Sequence, residues 1–169
     1  SNSPSGMARA RAIARLTPAP STGAGDLFRS ALQDKDPLVR RAAVGALESL
    51  EPVQRGERLA PLLDDPVRGV RMEAGRLLAG APREPLTEAK PGALDRAYAE
   101  YVAAERFNAD RPESHLNLAL LYATQRRTPE AETELKAALQ LDPRFVPAAV
   151  NLADLYRATG RDPEGERVL

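Results

Sequence analysis

A repeat in the second half of the chain constrains the fold more than any other feature. Segment 115–122 matches segment 149–156, so the period of the repeat is 34. Further residues recur at the same interval: Arg127, Pro129, Glu130, Glu132 and Leu135 return as Arg161, Pro163, Glu164, Glu166 and Leu169. A period of this size is typical of a pair of helices, and one pair cannot bury both of its faces alone. The sequence therefore predicts a stack of helix pairs.

The apolar positions inside the unit predict two amphipathic helices. Apolar or small residues recur three and four positions apart before and after residues 126–129, which separate the two helices. Pro143 ends the second helix, because proline cannot continue the hydrogen-bond ladder. The pattern resembles the tetratricopeptide repeat (TPR) family at these positions: Leu118, Ala119, Tyr122, Ala131, Leu135, Ala138 and Pro143.

The TPR resemblance implies a partner-binding face on the first helix of each pair. That face would bind a peptide or a partner domain through Glu113, Asn117, Leu120, Thr124, Asn151, Asp154 and Arg157. Asn117 and Asn151 are the strongest candidates, since a side-chain amide both donates and accepts hydrogen bonds. The alternative is that both asparagines belong to the repeat consensus or simply face solvent. The lysine-bearing clamp with which some TPR domains hold a C-terminal carboxylate is not evident.

A different repeat, with a period of 31, precedes the first. Residues of one copy recur in the next: Asp34, Val39, Arg40, Ala43 and Leu47 return as Asp65, Val70, Arg71, Ala74 and Leu78. This pattern resembles HEAT repeats of the short, phycobilisome-lyase-like type. The resemblance implies that Asp34, Arg40, Asp65 and Arg71 form a structural ladder from repeat to repeat.

Together the two resemblances imply an all-α, right-handed α-solenoid of HEAT-like helix pairs continued by TPR helix pairs. We assign 1–80 to HEAT-like repeats, the first of them partial, and 81–92 to a linker. Residues 93–169 form the TPR-like region: a splice helix over 93–107, one full repeat and one truncated repeat. A Pro- and Gly-rich connection is predicted over 17–25.

Composition argues against several classes of function. The chain has 24 basic and 24 acidic residues, so no overall field points to nucleic acid or to a membrane surface. It has no cysteine, and His115 is its only histidine, which we expect to pack between repeats. We therefore predict no catalytic residue, no cofactor, no metal site and no enzyme activity. The acidic run Glu130, Glu132 and Glu134 is interpreted as a solvated face.

We interpret the chain as a protein–protein interaction or docking scaffold, a module of a larger protein. It begins with serine rather than methionine and stops partway along a repeat. The order of repeats resembles the C-terminal part of bacterial multihaem cytochrome c-like proteins, which implies an upstream haem domain and a periplasmic location; otherwise we expect a cytoplasmic one. No apolar run is long enough for membrane insertion.

Two alternatives stay open. One is a bilin lyase-like activity, or another enzyme accessory subunit. The other is phosphate-backbone (nucleic-acid) binding by the HEAT part, through a stripe of Arg40, Arg41, Arg68 and Arg71.

Overall fold

The computed structural model describes residues 5–16, 22–82, 86, 89 and 92–169, and every regular element among them is a helix. The α-helices are α1 (Gly6–Ala14), α2 (Thr22–Leu32), α3 (Pro37–Ala46), α4 (Pro52–Leu59), α5 (Arg68–Leu77), α6 (Ala93–Phe107), α7 (Pro112–Thr124), α8 (Thr128–Leu141), α9 (Val146–Ala158) and α10 (Asp162–Glu166). Short 3-10 turns follow α3 (Leu47–Ser49) and α4 (Ala60–Asp64). The all-helical prediction is confirmed for the described residues.

The chain divides into two compact units, Ser1–Tyr101 and Val102–Leu169. The division falls within α6, the helix predicted over 93–107. Most of the predicted linker 81–92 lies outside the described residues, as do residues 17–21 of the predicted connection. The rest of that connection was predicted wrongly, because residues 22–25 form the start of α2. Phe28 and Leu32 of α2 are buried, so packing overrides the weak helix propensity of its glycines.

The core of the first unit is formed by the residues that the period of 31 picks out. Val39, Leu47, Val70 and Leu78 are almost fully buried in one apolar cluster. The same cluster takes in the start of α6, through Ala93, Leu94 and Ala97. The first half of α6 therefore completes the core that the preceding helices begin.

Each of α1, α3 and α5 carries an arginine that pairs with a carboxylate further along the first unit. Arg9 pairs with Asp34 at 3.0 Å, Arg40 with Asp65 at 2.7 Å and Arg71 with Glu100 at 2.6 Å. The three arginines occupy equivalent positions of successive repeats, so the predicted ladder from repeat to repeat is confirmed. The structure extends it at both ends, with Arg9 and with Glu100.

The middle pair is the most buried of the three. The Arg40 guanidinium donates two hydrogen bonds to the Asp65 carboxylate and one to the backbone carbonyl of Asp34. Asp65 also accepts a hydrogen bond from the backbone N–H of Val67, at the start of the next helix. Burial opposes ionisation of Asp65, but the bonds from Arg40 and Val67 outweigh it and lower the pKa of this carboxyl. The pair therefore holds both the turn and the neighbouring repeat.

The second unit consists of the end of α6 and two helix hairpins, α7–α8 and α9–α10. Helix α8 packs against both α7 and α9, and α10 packs against α9. Tyr122 and Tyr156 are buried, as the apolar periodicity predicts. Both hairpins turn at a residue with left-handed backbone, Arg126 (φ 59°) and Gly160 (φ 71°), which are equivalent positions of the repeat. The two hairpins therefore repeat their backbone geometry as well as their sequence.

Candidate functional site

The seven residues predicted to bind a partner lie outside the core of the second unit, on the first helix of each hairpin. Five of them are exposed: Glu113, Leu120, Thr124, Asp154 and Arg157. The remaining two, Asn117 and Asn151, are half-buried. Their spacing of three and four residues places each set on one side of its helix, and α7 and α9 are in contact. We call the surface formed by these seven residues the α7/α9 face.

The two asparagines of the α7/α9 face have different hydrogen-bond partners. The Asn117 amide donates to the Glu105 carboxylate at 3.4 Å, while the Asn151 amide donates to the Pro147 carbonyl at 2.8 Å. In the part of the chain that the structure describes, no donor reaches either amide oxygen. Each asparagine can therefore still accept a hydrogen bond from a ligand.

Most charge on this face is neutralised locally. Arg157 and Asp154 form an exposed ion pair at 2.7 Å, one helical turn apart. Glu113 has no ion-pair partner among the described residues. The Thr124 hydroxyl donates to the carbonyl of Leu120, within its own helix. The face thus carries little net charge, and its polar groups point to hydrogen bonding more than to electrostatic attraction.

Large apolar side chains are exposed on both helices of the face. Leu120 is 46% exposed on α7, and Val150 is 42% exposed on α9. Apolar surface of this kind, next to free amide acceptors, matches the mixed apolar and polar character of protein interfaces. The predicted residues are therefore placed where a partner could reach them.

A polar network that the sequence interpretation missed joins the two hairpins. The Glu132 carboxylate accepts hydrogen bonds from Lys136 at 2.7 Å, Arg161 at 2.8 Å and the Tyr156 hydroxyl at 3.1 Å. The Arg161 guanidinium also lies over the Tyr156 ring, 4.3 Å from its centre. The hydrogen bond from Lys136, with those from Arg161 and Tyr156, outweighs desolvation and lowers the pKa of Glu132 to about 2.

The interpretation of the acidic run as a solvated face is wrong for two of its three members. Glu132 and Glu134 are both only 18% exposed, and Glu134 pairs with the half-buried His115 at 2.6 Å. The other ring nitrogen of His115 lies 3.0 Å from the Ala109 carbonyl. Spacing along one helix correctly placed the acids on different sides but gave no information about partners on neighbouring helices. The recurrence of Arg127 as Arg161, and of Tyr122 as Tyr156, was the available signal.

The arginines that could form a phosphate-binding stripe in the first unit already have partners. Arg40 and Arg71 bind carboxylates, and the Arg68 guanidinium donates to the Glu100 carbonyl. Arg41 lies 4.0 Å from Glu73. These contacts reduce the positive charge available to a nucleic-acid backbone.

The described residues include no group of three or more side chains able to hold a metal ion. None of the described helices is both long and apolar enough to cross a bilayer.

Comparison with known proteins gives a family match for part of the chain. The family model for HEAT repeats matches residues 1–79. The match covers the repeats that contain the arginine–carboxylate pairs Arg9–Asp34 and Arg40–Asp65. No curated protein and no solved structure matches the chain. With this match, the all-helical fold is consistent with an α-solenoid.

Proposed function

We propose that the chain is a protein–protein interaction module that binds a peptide or partner domain on the α7/α9 face. The observation that carries the proposal is the exposure of Leu120 and Val150 beside Asn117 and Asn151, whose amide oxygens are free to accept hydrogen bonds. The HEAT-repeat match supports it, since HEAT repeats commonly mediate contacts between proteins.

Binding on this face would use a surface that exists before the partner arrives. The helices α7 and α9 are held by buried residues of their own hairpins, such as Leu118, Tyr122 and Leu152. A rigid surface loses little conformational entropy when a ligand binds, so more of the contact energy appears as affinity. An extended or helical segment with apolar side chains would bury Leu120 and Val150 and donate its N–H groups to the two asparagines.

Three finer assignments belong to the same proposal. Residues 93–169 would be TPR helix pairs that continue the HEAT repeats, supported by the period of 34 and the repeated hairpin geometry. The chain would act by binding rather than as an enzyme. Its parent would have the multihaem cytochrome c-like organisation suggested by the order of repeats, with a haem domain upstream as one partner.

The test compares two leucines of nearly equal exposure. Leu120 on the α7/α9 face is 46% exposed, and Leu141 at the end of α8 is 47% exposed. Peptides selected against the wild-type chain from a random library would be measured by calorimetry against both aspartate variants. Leu120→Asp should weaken binding by about tenfold or more, because apolar burial is lost and a charge is desolvated. Leu141→Asp should change affinity by less than about twofold.

If both variants bind every selected peptide as tightly as the wild type does, the α7/α9 face is not the binding surface. Asn117→Ala and Asn151→Ala, measured in the same way, test the hydrogen-bonding part. Circular dichroism checks that each variant retains its helices. If the selection against the wild-type chain yields no binding peptide, the α7/α9 face does not bind peptides.

A further inference from the structure

We propose that a second site in the unit Val102–Leu169 binds the side-chain carboxylate of a glutamate or aspartate on a protein partner. The site is a cleft of about 220 Å³ lined by Arg106, Tyr122, Arg127, Glu130 and Glu134, together with Pro129 and Thr133. It does not include any residue of the α7/α9 face. The inference rests on the proposed function only in that the occupant belongs to a protein.

The following hairpin has an arginine and a tyrosine at the equivalent positions, and there they bind a carboxylate. There the Arg161 guanidinium lies over the Tyr156 ring, and a carboxylate from the preceding hairpin, Glu132, completes the arrangement. Three donors converge on this carboxylate: Arg161, the Tyr156 hydroxyl and Lys136. The chain thus contains its own example of a glutamate bound by an arginine stacked on a tyrosine.

The first hairpin repeats two of these three donors, Arg127 and Tyr122, without the acceptor. The Arg127 guanidinium lies 4.4 Å from the centre of the Tyr122 ring, close to the 4.3 Å of the second copy. The repeat equivalent of Glu132 is Tyr98, which has no carboxylate and whose hydroxyl donates to the Leu78 carbonyl. Within the described part of the chain, the Tyr122 hydroxyl has no hydrogen-bond partner. At the sequence position equivalent to Glu132, the first copy therefore has no carboxylate.

Arg106 supplies a third donor. The repeat equivalent of Lys136 is Val102, but Arg106 also lines the cleft, and its exposed guanidinium forms no ion pair or hydrogen bond with any described residue. The lining carboxylates already have partners of their own, because Glu130 pairs with Arg127 at 2.9 Å and Glu134 with His115 at 2.6 Å. The cleft is therefore lined by two arginines and two carboxylates, and Arg106 is the arginine that contacts neither carboxylate.

An additional carboxylate beside Glu130 is compatible with the chemistry of the cleft. In the second copy Arg161 contacts two carboxylates, Glu132 at 2.8 Å and Glu164 at 3.3 Å. Glu164 is the repeat equivalent of Glu130. A guanidinium has five N–H donors, so Arg127 can hold Glu130 and an incoming carboxylate at the same time. Because the internal example is a side-chain carboxylate, a glutamate or aspartate side chain is the occupant that we assign.

Three capped peptides test the site on the intact, ¹⁵N-labelled chain. The first is an acetylated and amidated alanine pentapeptide with a central glutamate, the second has glutamine in its place, and the third is acetylated pentaalanine with a free C-terminal carboxylate. Titration followed through the arginine side-chain Nε–H signals should show saturable shifts of Arg106 and Arg127 with the first peptide. The glutamine peptide should leave both signals in place.

Variants define which donors are used. Arg106→Gln and Tyr122→Phe should each weaken binding of the glutamate peptide about threefold to fivefold, the range of an exposed charge-assisted contact. Arg126→Gln is the matched control, since it removes a neighbouring arginine that does not line the cleft, and it should change nothing. Because Arg106 is exposed, Arg106→Gln should not disturb the fold. It therefore tests the site even if Tyr122→Phe lowers stability.

Equal shifts with the glutamate and glutamine peptides would overturn the proposal, and so would equal losses in Arg106→Gln and Arg126→Gln. Binding of only the peptide with the free C-terminus would also overturn it, since the source would then be a chain end. Leu120→Asp should leave the glutamate titration unchanged, so failure of this site and failure of the α7/α9 face give different results.

Discussion

Replacement of Gly75 by alanine should destabilise the first unit, although alanine is the better helix former. Gly75 is buried in α5, at the contact with α6. A Cβ atom added there would lie 2.7 Å from the Cβ of Ala97. Carbon atoms of neighbouring side chains prefer a separation of about 3.5–4.0 Å. One of the two helices must therefore move, or the added methyl group is compressed.

The size of the effect follows from two opposing terms. Replacing glycine by alanine within a helix stabilises it by about 0.8–1.0 kcal/mol. Overpacking a well-packed core costs about 1–3 kcal/mol. The expected net change in the free energy of unfolding is therefore a loss of up to about 2 kcal/mol.

Gly45 provides the matched control. It lies within α3, and an added Cβ there would meet no atom within 4 Å. Gly45→Ala should therefore keep the propensity gain and stabilise the unit by up to about 1 kcal/mol. The difference between the two variants then isolates the overpacking term. Urea unfolding followed by circular dichroism gives both values, and hydrogen exchange of the α3 and α5 amides assigns the change to the first unit.

A Gly75→Ala variant as stable as Gly45→Ala would contradict this prediction. It would mean that α5 and α6 do not approach each other at this point. The start of α6 would then not complete the core of the first unit, and the helix would not continue the packing that the HEAT-like repeats begin.

Two further predictions concern buried carboxylates. Asp65→Asn should lower the free energy of unfolding by about 1.5–3 kcal/mol, because the charge-assisted bonds to Arg40 weaken, whereas Asp34→Asn in the more exposed pair should cost only about 0.2–1 kcal/mol. Equal losses in urea unfolding would contradict this account of burial. The depressed pKa of Glu132 stabilises the fold above the ordinary glutamate pKa, and that stability is lost as pH falls towards about 2. Glu132→Gln should therefore flatten the decline of thermal stability between about pH 4.5 and pH 2, and an unchanged pH profile would show that the bonds from Lys136, Arg161 and Tyr156 do not lower the pKa of Glu132 in solution.

The repeat periods predicted the features that depend on spacing along the chain. The period of 31 located the arginines of the ladder and the buried residues Val39 and Val70, and the helix predicted over 93–107 is α6. These predictions succeed because a helix pair repeats its buried face and its turn residues at a fixed interval.

Contacts that cross between helices could not be predicted in the same way. The period places Arg96 where the ladder needs an acid for Arg71, but the structure uses Glu100, one helical turn further along α6. The side chain of Glu132 likewise crosses to Arg161 rather than facing solvent. Long charged side chains reach over a turn of helix, so their partners depend on how neighbouring helices pack and not on sequence spacing alone.

The packing of α2 shows the limit of local sequence signals. The glycines at its start favoured a loop in the prediction over 17–25, but Phe28 and Ala31 are buried and hold the helix. Five of the seven residues of the α7/α9 face lie at exposed positions, as helix periodicity predicts, while Asn117 and Asn151 are half-buried. Their role in binding depends on a partner and stays a prediction.

The proposed function requires that α7 and α9 together present a surface for a protein partner. The most direct measurement is the map of backbone amide chemical shifts when a selected peptide binds the ¹⁵N-labelled chain. We expect the largest changes to cluster around Asn117, Leu120, Asn151 and Asp154, with little change on α8 around Leu141. Changes centred on α8, or on the first unit alone, would contradict it.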